Sequence, residues 1–287
     1  MLTTVQFRRG GKNMRTLIAT VMAGLVAATG AVAEDLDRIK AAGKIVVATE
    51  AAFPPFEFVQ DGVIVGFGAD LLKEVVADMG VAVEQLDLPF QGILAGLEAG
   101  QYDLVATSVA ITPERAATYA FTRPIASIEN AIVTKADNTA VSATEGLNGL
   151  IVATQLGSST EAVAREIDAA LKDAGGTGFA DLRLLQTFAD TAFALRSGQV
   201  DAIVVGNTTA GEAMVAAPGE FKIATTWGDP VYIAWVVRPG NPGLLGAVNA
   251  TIGRLADSGA LAALQEKWVG TQMSVPADGY LPPGAVQ

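Results

Sequence analysis

Short runs of β-branched residues alternate along the chain with longer Ala-rich stretches whose apolar positions recur every three to four residues. The first pattern is that of a buried strand, the second that of an amphipathic helix. Strands are predicted at 45–49, 83–88, 104–107, 151–154, 182–186, 202–205, 221–225 and 231–237. Helices are predicted at 70–79, 92–99, 159–172, 191–197, 208–216, 243–257 and 260–269. Strands and helices in such alternation make an α/β fold.

Two distant pieces share one spacing. Phe90-x6-Leu97-x2-Gly100-Gln101-x-Asp103-Leu104-Val105 matches Phe188-x6-Leu195-x2-Gly198-Gln199-x-Asp201-Ala202-Ile203. Each reads as a helix, a glycine that ends it, and a buried strand. Two copies are too few for a solenoid but fit two lobes built from the same unit. Ligands of open α/β sheets gather at the carboxyl ends of the strands, which puts the expected site between the lobes. In the repeat's register Ser108 lies five residues after Asp103 and Gly206 five after Asp201, so the two should face each other across that cleft.

The first residues follow a different rule. Arg8, Arg9, Lys12 and Arg15 precede an apolar stretch, 17–32, that ends in Ala31-Val32-Ala33 and meets the polar run from Glu34. That order of parts is a secretory signal with a small-x-small cleavage site, expected to occupy residues 1–33. A retained anchor would need about 20 apolar residues, more than this stretch offers. All 30 acidic residues but only 15 of the 19 basic ones lie after residue 33, a net charge of −15 that makes nucleic acid and anionic membranes poor partners. The chain has neither cysteine nor histidine. Disulfides, a lipid-bearing cysteine, His/Cys zinc sites, a Ser-His triad and a cysteine nucleophile are therefore excluded, and no cofactor or metal is expected.

Three loops could hold a ligand. Thr112-Pro113-Glu114-Arg115 reads as a helix start just after the strand that carries Ser108 and Ala110, and Arg115 there could offer a bidentate fork to a carboxylate. Gly157-Ser158-Ser159-Thr160-Glu161 is a second helix start with capping-box spacing, an anion seat built from amides and hydroxyls. Glu50-Ala51-Ala52-Phe53-Pro54-Pro55 follows a strand, so Phe53 could form a flat wall and Glu50 a cation partner. Each segment alone also reads as an ordinary surface arginine, helix cap or core phenylalanine.

Taken together, seven motifs in order resemble the family 3 extracellular solute-binding proteins, which include histidine- and lysine/arginine/ornithine-binding proteins. They are Phe53-Pro54-Pro55-Phe56-Glu57-Phe58, Gly66-Phe67-x-x-Asp70-Leu71, Gly100-x-x-Asp103, Ile111-Thr112-Pro113-Glu114-Arg115-x5-Phe121-Thr122-x-Pro124, Gly157-Ser158-Ser159, Gly198-x-x-Asp201-Ala202, and Gly259-x-Leu261-x4-Glu266-Lys267-Trp268-x-Gly270. The resemblance implies a type II periplasmic binding protein fold: two α/β lobes, residues 34–128 with 230–287 and residues 129–229, joined by two hinge strands around a ligand cleft. It implies a non-enzymatic periplasmic protein that captures a small zwitterion or carboxylate and delivers it to the membrane permease of an ABC transporter; the acidic charge and the lack of an obvious apolar patch point to a monomer. By position, Arg115 would grip the ligand carboxylate with Ser158 and Ser159, Ser108 and the Ala110 backbone would complete the first-lobe shell, and Phe53 and Phe90 would pack on the ligand body.

Two positions depart from the family. Gly206 stands where many of these amino-acid binders carry an aspartate for the ligand ammonium, which leaves Glu50 as the nearby acid for that role. A first-lobe glutamate without the second-lobe aspartate resembles the ectoine-binding branch and opens a cyclic zwitterion as an alternative ligand. Ile125 stands where the family often has tyrosine. A cyclohexadienyl dehydratase-like enzyme on this fold would need a positioned acid or base in the cleft, for which Glu50 is the candidate.

Overall fold

The computed structural model describes residues 35–287; the signal expected over 1–33 lies outside them. The first segment runs α1 (Asp35–Ala42), β1 (Lys44–Thr49), β2 (Ala52–Phe53), β3 (Glu57–Gln60), β4 (Val63–Val65), α2 (Phe67–Met79), β5 (Ala82–Asp87), α3 (Ile93–Glu98), β6 (Leu104–Ala110), α4 (Pro113–Ala116) and β7 (Ala120–Phe121). A long strand, β8 (Ala126–Lys135), leads to β9 (Ile151–Gln155), α5 (Ser159–Asp173), β10 (Asp181–Leu185), α6 (Phe188–Arg196), β11 (Ala202–Gly206) and α7 (Asn207–Ala216). The chain returns through β12 (Phe221–Val237) and closes with α8 (Pro242–Asp257) and α9 (Ala260–Val269).

The main sheet has the order β10-β9-β11-β8-β12-β6-β1-β5, with β7 alongside β12, and β2, β3 and β4 form a small separate sheet. At one end β5, β1 and β6 are parallel; at the other β10, β9 and β11 are parallel. Between these two parallel groups, β8 and β12 pair antiparallel along most of their length. All seven residues of β6 are buried, as its central place between β1 and β12 demands. On α2 the positions Phe67, Leu71, Leu72, Val75 and Met79 form the buried stripe, and Gly80, at φ 69°, ends the helix by turning its N–H back to Val76 and Ala77.

Most predicted elements stand within a few residues of their expected bounds, and three differences have clear causes. The run 126–135 gives no strand signal because Glu129 and Asn130 interrupt its apolar pattern; Asn130 is nonetheless buried, its side-chain amide donating to the Trp227 carbonyl at 3.3 Å. The predicted strands 221–225 and 231–237 are one strand, β12, which passes Gly228-Asp229-Pro230 through an irregularity between Trp227 and Val231. Helix α6 starts at Phe188 rather than 191 because Thr187 and Asp190 form a capping box: the Thr187 Oγ1 accepts from the Asp190 N–H at 3.1 Å, and the Asp190 carboxylate accepts from the Thr187 N–H at 3.1 Å.

The repeat is structural as well as sequential. Asp103 takes the Val46 N–H of β1 at 2.9 Å, and Asp201 takes the Ile151 N–H of β9 at 2.8 Å. Each aspartate also donates its own N–H to the carbonyl of the same residue, at 2.9 and 2.8 Å. The two α/β groups are therefore tied by the same local device, and β1 corresponds to β9 with an offset of 105 positions.

Candidate functional site

A small cavity opens where the carboxyl ends of β1, β6, β9 and β11 converge, and every sequence-predicted site residue lines it: Glu50, Phe53, Phe90, Ser108, Ala110, Arg115, Ser158, Ser159 and Gly206. Its space is about 30 Å³, room for about two water molecules. Ser108 and Gly206, equivalent in the repeat, both line it. The Gly206 backbone does not require glycine: an added Cβ would make ordinary contact with Ile128 at 3.5 Å.

Arg115 owes its place to α4. Thr112 caps that helix, its Oγ1 accepting from the Arg115 N–H at 3.3 Å, and Pro113 opens the first turn. The guanidinium donates to the Ala110 carbonyl at 3.2 Å and, across the cleft, to the Gly157 carbonyl at 3.0 Å. The Phe90 ring lies beneath it, 5.5 Å from ring centre to guanidinium carbon. Among the described residues no carboxylate comes within 4.0 Å of it, and burial pushes its pKa down to about 10. It stays charged at neutral pH, half-buried and without an anionic partner from the protein.

Opposite stands Ser158, the N-cap of α5, whose Oγ accepts from the Glu161 N–H at 3.2 Å and donates to the Gln155 carbonyl at 2.7 Å. The capping box read from the sequence is modified: the Glu161 carboxylate reaches back to the Gly157 N–H, at 2.8 Å, instead of the Ser158 N–H. With the Ser158 hydroxyl so engaged, what this corner offers an anion is the Ser159 side chain and the first amides of α5.

Glu50 is buried and accepts a hydrogen bond from Gln155 Nε2, which also donates to the Gln186 carbonyl at 3.1 Å. Burial pushes its carboxyl up to about 7, against the opposing effect of the Gln155 bond; the nearby Asp87 adds to the rise. Glu50 and Gln155 lie 105 positions apart, the same offset that relates β1 to β9, so the repeat's axis passes between them. Phe53 packs against Phe188, ring centres 5.4 Å apart.

Sequence reasoning missed Gln155, Phe188 and Ile128, all of which line the cavity beside Thr160 of the expected anion seat. The repeat in the sequence carried the signal for one of them, since Phe188 is the counterpart of Phe90; the correspondence of Gln155 to Glu50 follows from the offset between β1 and β9, which only the structure shows. Glu57 is a third kind of omission. It is fully buried behind Ser108, where it accepts from the Ser108 N–H at 3.3 Å and from the hydroxyls of Ser108 and Thr107 at 3.2 and 3.3 Å. A Cβ on Gly68 would collide with this carboxylate, and burial pushes its pKa up to about 8 despite the three donors. Among the described residues no cluster of His, Cys, Asp or Glu could hold a metal ion, and no helix is long and apolar enough to cross a membrane.

Comparison with known proteins agrees with this geometry. Residues 45–271 match the family model for bacterial extracellular solute-binding proteins, family 3. The chain is 27% identical over 268 residues to the L-cystine-binding protein TcyJ of Escherichia coli (strain K12), covering 91% of this chain and 96% of that one. It is 26% identical to a probable amino-acid ABC transporter-binding protein of Haemophilus influenzae, over 83% of this chain and 89% of the relative. Among solved structures it is similar to an ancestral arginine-binding protein bound to arginine, with 35% identity and a TM-score of 0.70 over 79% of this chain and 98% of that one. The fold is the type II periplasmic binding protein fold.

Proposed function

We propose that this chain, which belongs to the bacterial extracellular solute-binding proteins of family 3, captures an α-amino acid in the cavity between its lobes and hands it to the permease of an ABC importer. The observation that carries the reading is one unpartnered cation, Arg115, and one buried acid, Glu50, lining the same small cavity. A zwitterion offers a carboxylate to the first and an ammonium to the second, and satisfies both at once. The ligand body then lies between Phe53, Phe90 and Phe188, with Ser108, Gln155 and Ser159 as hydrogen-bonding partners. Glu50 takes the role that an aspartate at position 206 has in many relatives. The names of the relatives, which bind cystine, arginine or amino acids, support an amino acid over a cyclic zwitterion such as ectoine.

In this reading residues 1–33 are the export signal, residues 34–128 with 230–287 form one lobe and residues 129–229 the other, and the mature protein works as a periplasmic monomer. The lobes turn on β8 and β12, with the break near Gly228 as the most deformable point of β12. Entry needs such motion, because about 30 Å³ does not admit an amino acid. The Arg115–Gly157 and Glu50–Gln155 contacts join the lobes when they approach, and a ligand that adds bonds to both sides favours that state. The role is binding rather than catalysis, since the one acid in the cavity is placed to hold a cation.

The test is a thermal-shift screen against the common amino acids with ectoine as a contrast, followed by calorimetry on Arg115→Ala. An α-amino acid should raise the melting temperature, and Arg115→Ala should weaken its binding by roughly 2–4 kcal/mol, about 30-fold to 1,000-fold. A screen in which no α-amino acid stabilises the protein, or an Arg115→Ala variant of unchanged affinity, overturns the reading.

A further inference from the structure

On the far side of Phe188 from the central cavity lies a separate groove with about 280 Å³ of space, nearly ten times that of the cavity itself. Ala52 and Pro54, next to the end of β1, form one edge; α6, α7 and the start of β12 form the rest. The walls are mostly apolar, with the rings of Phe188, Phe193 and Phe221 among them, and Phe193 is 64% exposed. A large aromatic side chain left in water beside a concave apolar surface gains by being covered.

Two polar features set the chemistry of what could cover it. Glu212, on α7, is half-buried in the groove wall, and desolvation alone acts on its carboxyl: neither a hydrogen bond nor a nearby charge relieves it. The base in the lining, Arg196, is held by Glu220 at 2.6 Å and is not aimed at Glu212 as a partner. Thr209, also in the wall, has a buried hydroxyl without a partner. An uncompensated carboxylate among aromatic rings repels anions and leaves a neutral apolar ligand with a charge still unpaired beneath it. A cation with an apolar body meets both demands, because the rings attract it as well.

We propose that this groove is a second ligand site, separate from the central cavity, that takes a small organic monocation with an aromatic or alkyl body, its ammonium against Glu212 and its body among Phe188, Phe193 and Phe221. Nothing in the amino-acid reading of the central cavity requires it. Because Ala52 and Pro54 come from the small sheet after β1 and the other walls from α6, α7 and β12, an occupant touches two distant stretches of the chain at once.

Calorimetric titration of the protein with 2-phenylethylammonium chloride, with 2-phenylethanol as the neutral molecule of matching shape, tests the site. The ammonium ion should bind and the alcohol should bind about tenfold more weakly or worse. Glu212→Gln should lower the affinity for the ammonium ion about tenfold while leaving binding at the central cavity intact. Ala192→Phe, which fills the groove, should abolish it, and Glu50→Gln, which removes the acid of the central cavity, should leave it unchanged. The proposal falls if the parent protein gives no binding, if Glu212→Gln binds as the parent does, or if Glu50→Gln removes the binding, which would place the probe in the central cavity with its ammonium on Glu50.

Discussion

Glu50 and Gln155 show how one pair of side chains can set a site's charge and its pH response. Glu50 is buried, so its carboxyl titrates near 7 instead of the usual carboxylate range. A ligand ammonium beside it favours the ionised form, and binding below pH 7 must first remove a proton. Affinity for an α-amino acid should therefore rise with pH, being about tenfold to thirtyfold weaker at pH 5.5 than at pH 8. Calorimetry at the two values checks this, and Glu50→Gln should bind weakly with a flat profile. A steep profile that survives in Glu50→Gln would assign the titration to another group. Glu50 itself was legible in the sequence, because it follows a strand and has no competing acid at position 206. Its burial was not, since that depends on Gln155 arriving from the far side of the cleft.

Among elements, the matched helix–glycine–strand units carry the most information. Asp103 and Asp201 hold the start of β1 and of β9 by the same bonds, but their surroundings differ. Asp103 is 5% exposed and also pairs with Arg38, whereas Asp201 is exposed. Asp103→Ala leaves a strand N–H without its acceptor at a buried position, a cost of about 1–3 kcal/mol to which the exposed Arg38, still paired with Asp35, adds little; Asp201→Ala, whose N–H water can reach, should cost about 1 kcal/mol or less. Urea unfolding of the two variants should show that order, and equal losses would mean that burial does not separate the two copies. The repeat was visible because its spacing survives in sequence. Strand β8 was not visible, because Asn130 is buried through a bond to Trp227 that only the antiparallel pairing with β12 supplies. The same holds for the continuity of β12: Gly228 and Pro230 read as a break, and the sheet on either side carries the strand through.

For the whole molecule, the buried acids decide how stability depends on pH. Glu57 and Glu50 have carboxyls raised to about 8 and about 7, while Asp70 is held down at about 2, chiefly by bonds from Lys267, Lys73 and Trp268 that outweigh its desolvation. An acid whose pKa is raised on folding keeps its proton in the native state when the unfolded chain has lost it. Stability therefore falls as pH rises from about 4.5 towards 8 and levels off above. The lowered Asp70 acts in the opposite sense, but only below about pH 4. The melting temperature should be higher at pH 5 than at pH 8, by about 2–4 °C for each kcal/mol involved. The difference should shrink in Glu57→Gln. A melting temperature that rises from pH 5 to pH 8 would show that Glu57 is ionised throughout.

The sequence by itself determined the α/β alternation, the two matched units, the absence of cysteine and histidine chemistry, and the loops from which Glu50, Arg115 and Ser158 reach the cavity. These follow from local periodicity, helix-start chemistry and composition, none of which needs a distant partner. Tertiary structure alone decided that Arg115 is left without a carboxylate, that Glu57 lies buried behind Ser108, that β8 and β12 run between the two parallel groups, and that Glu212 faces an aromatic groove. Each of these depends on which groups are far apart in the chain and close in space, and the energy of a charge is set by its neighbours and its access to water rather than by its place in the sequence.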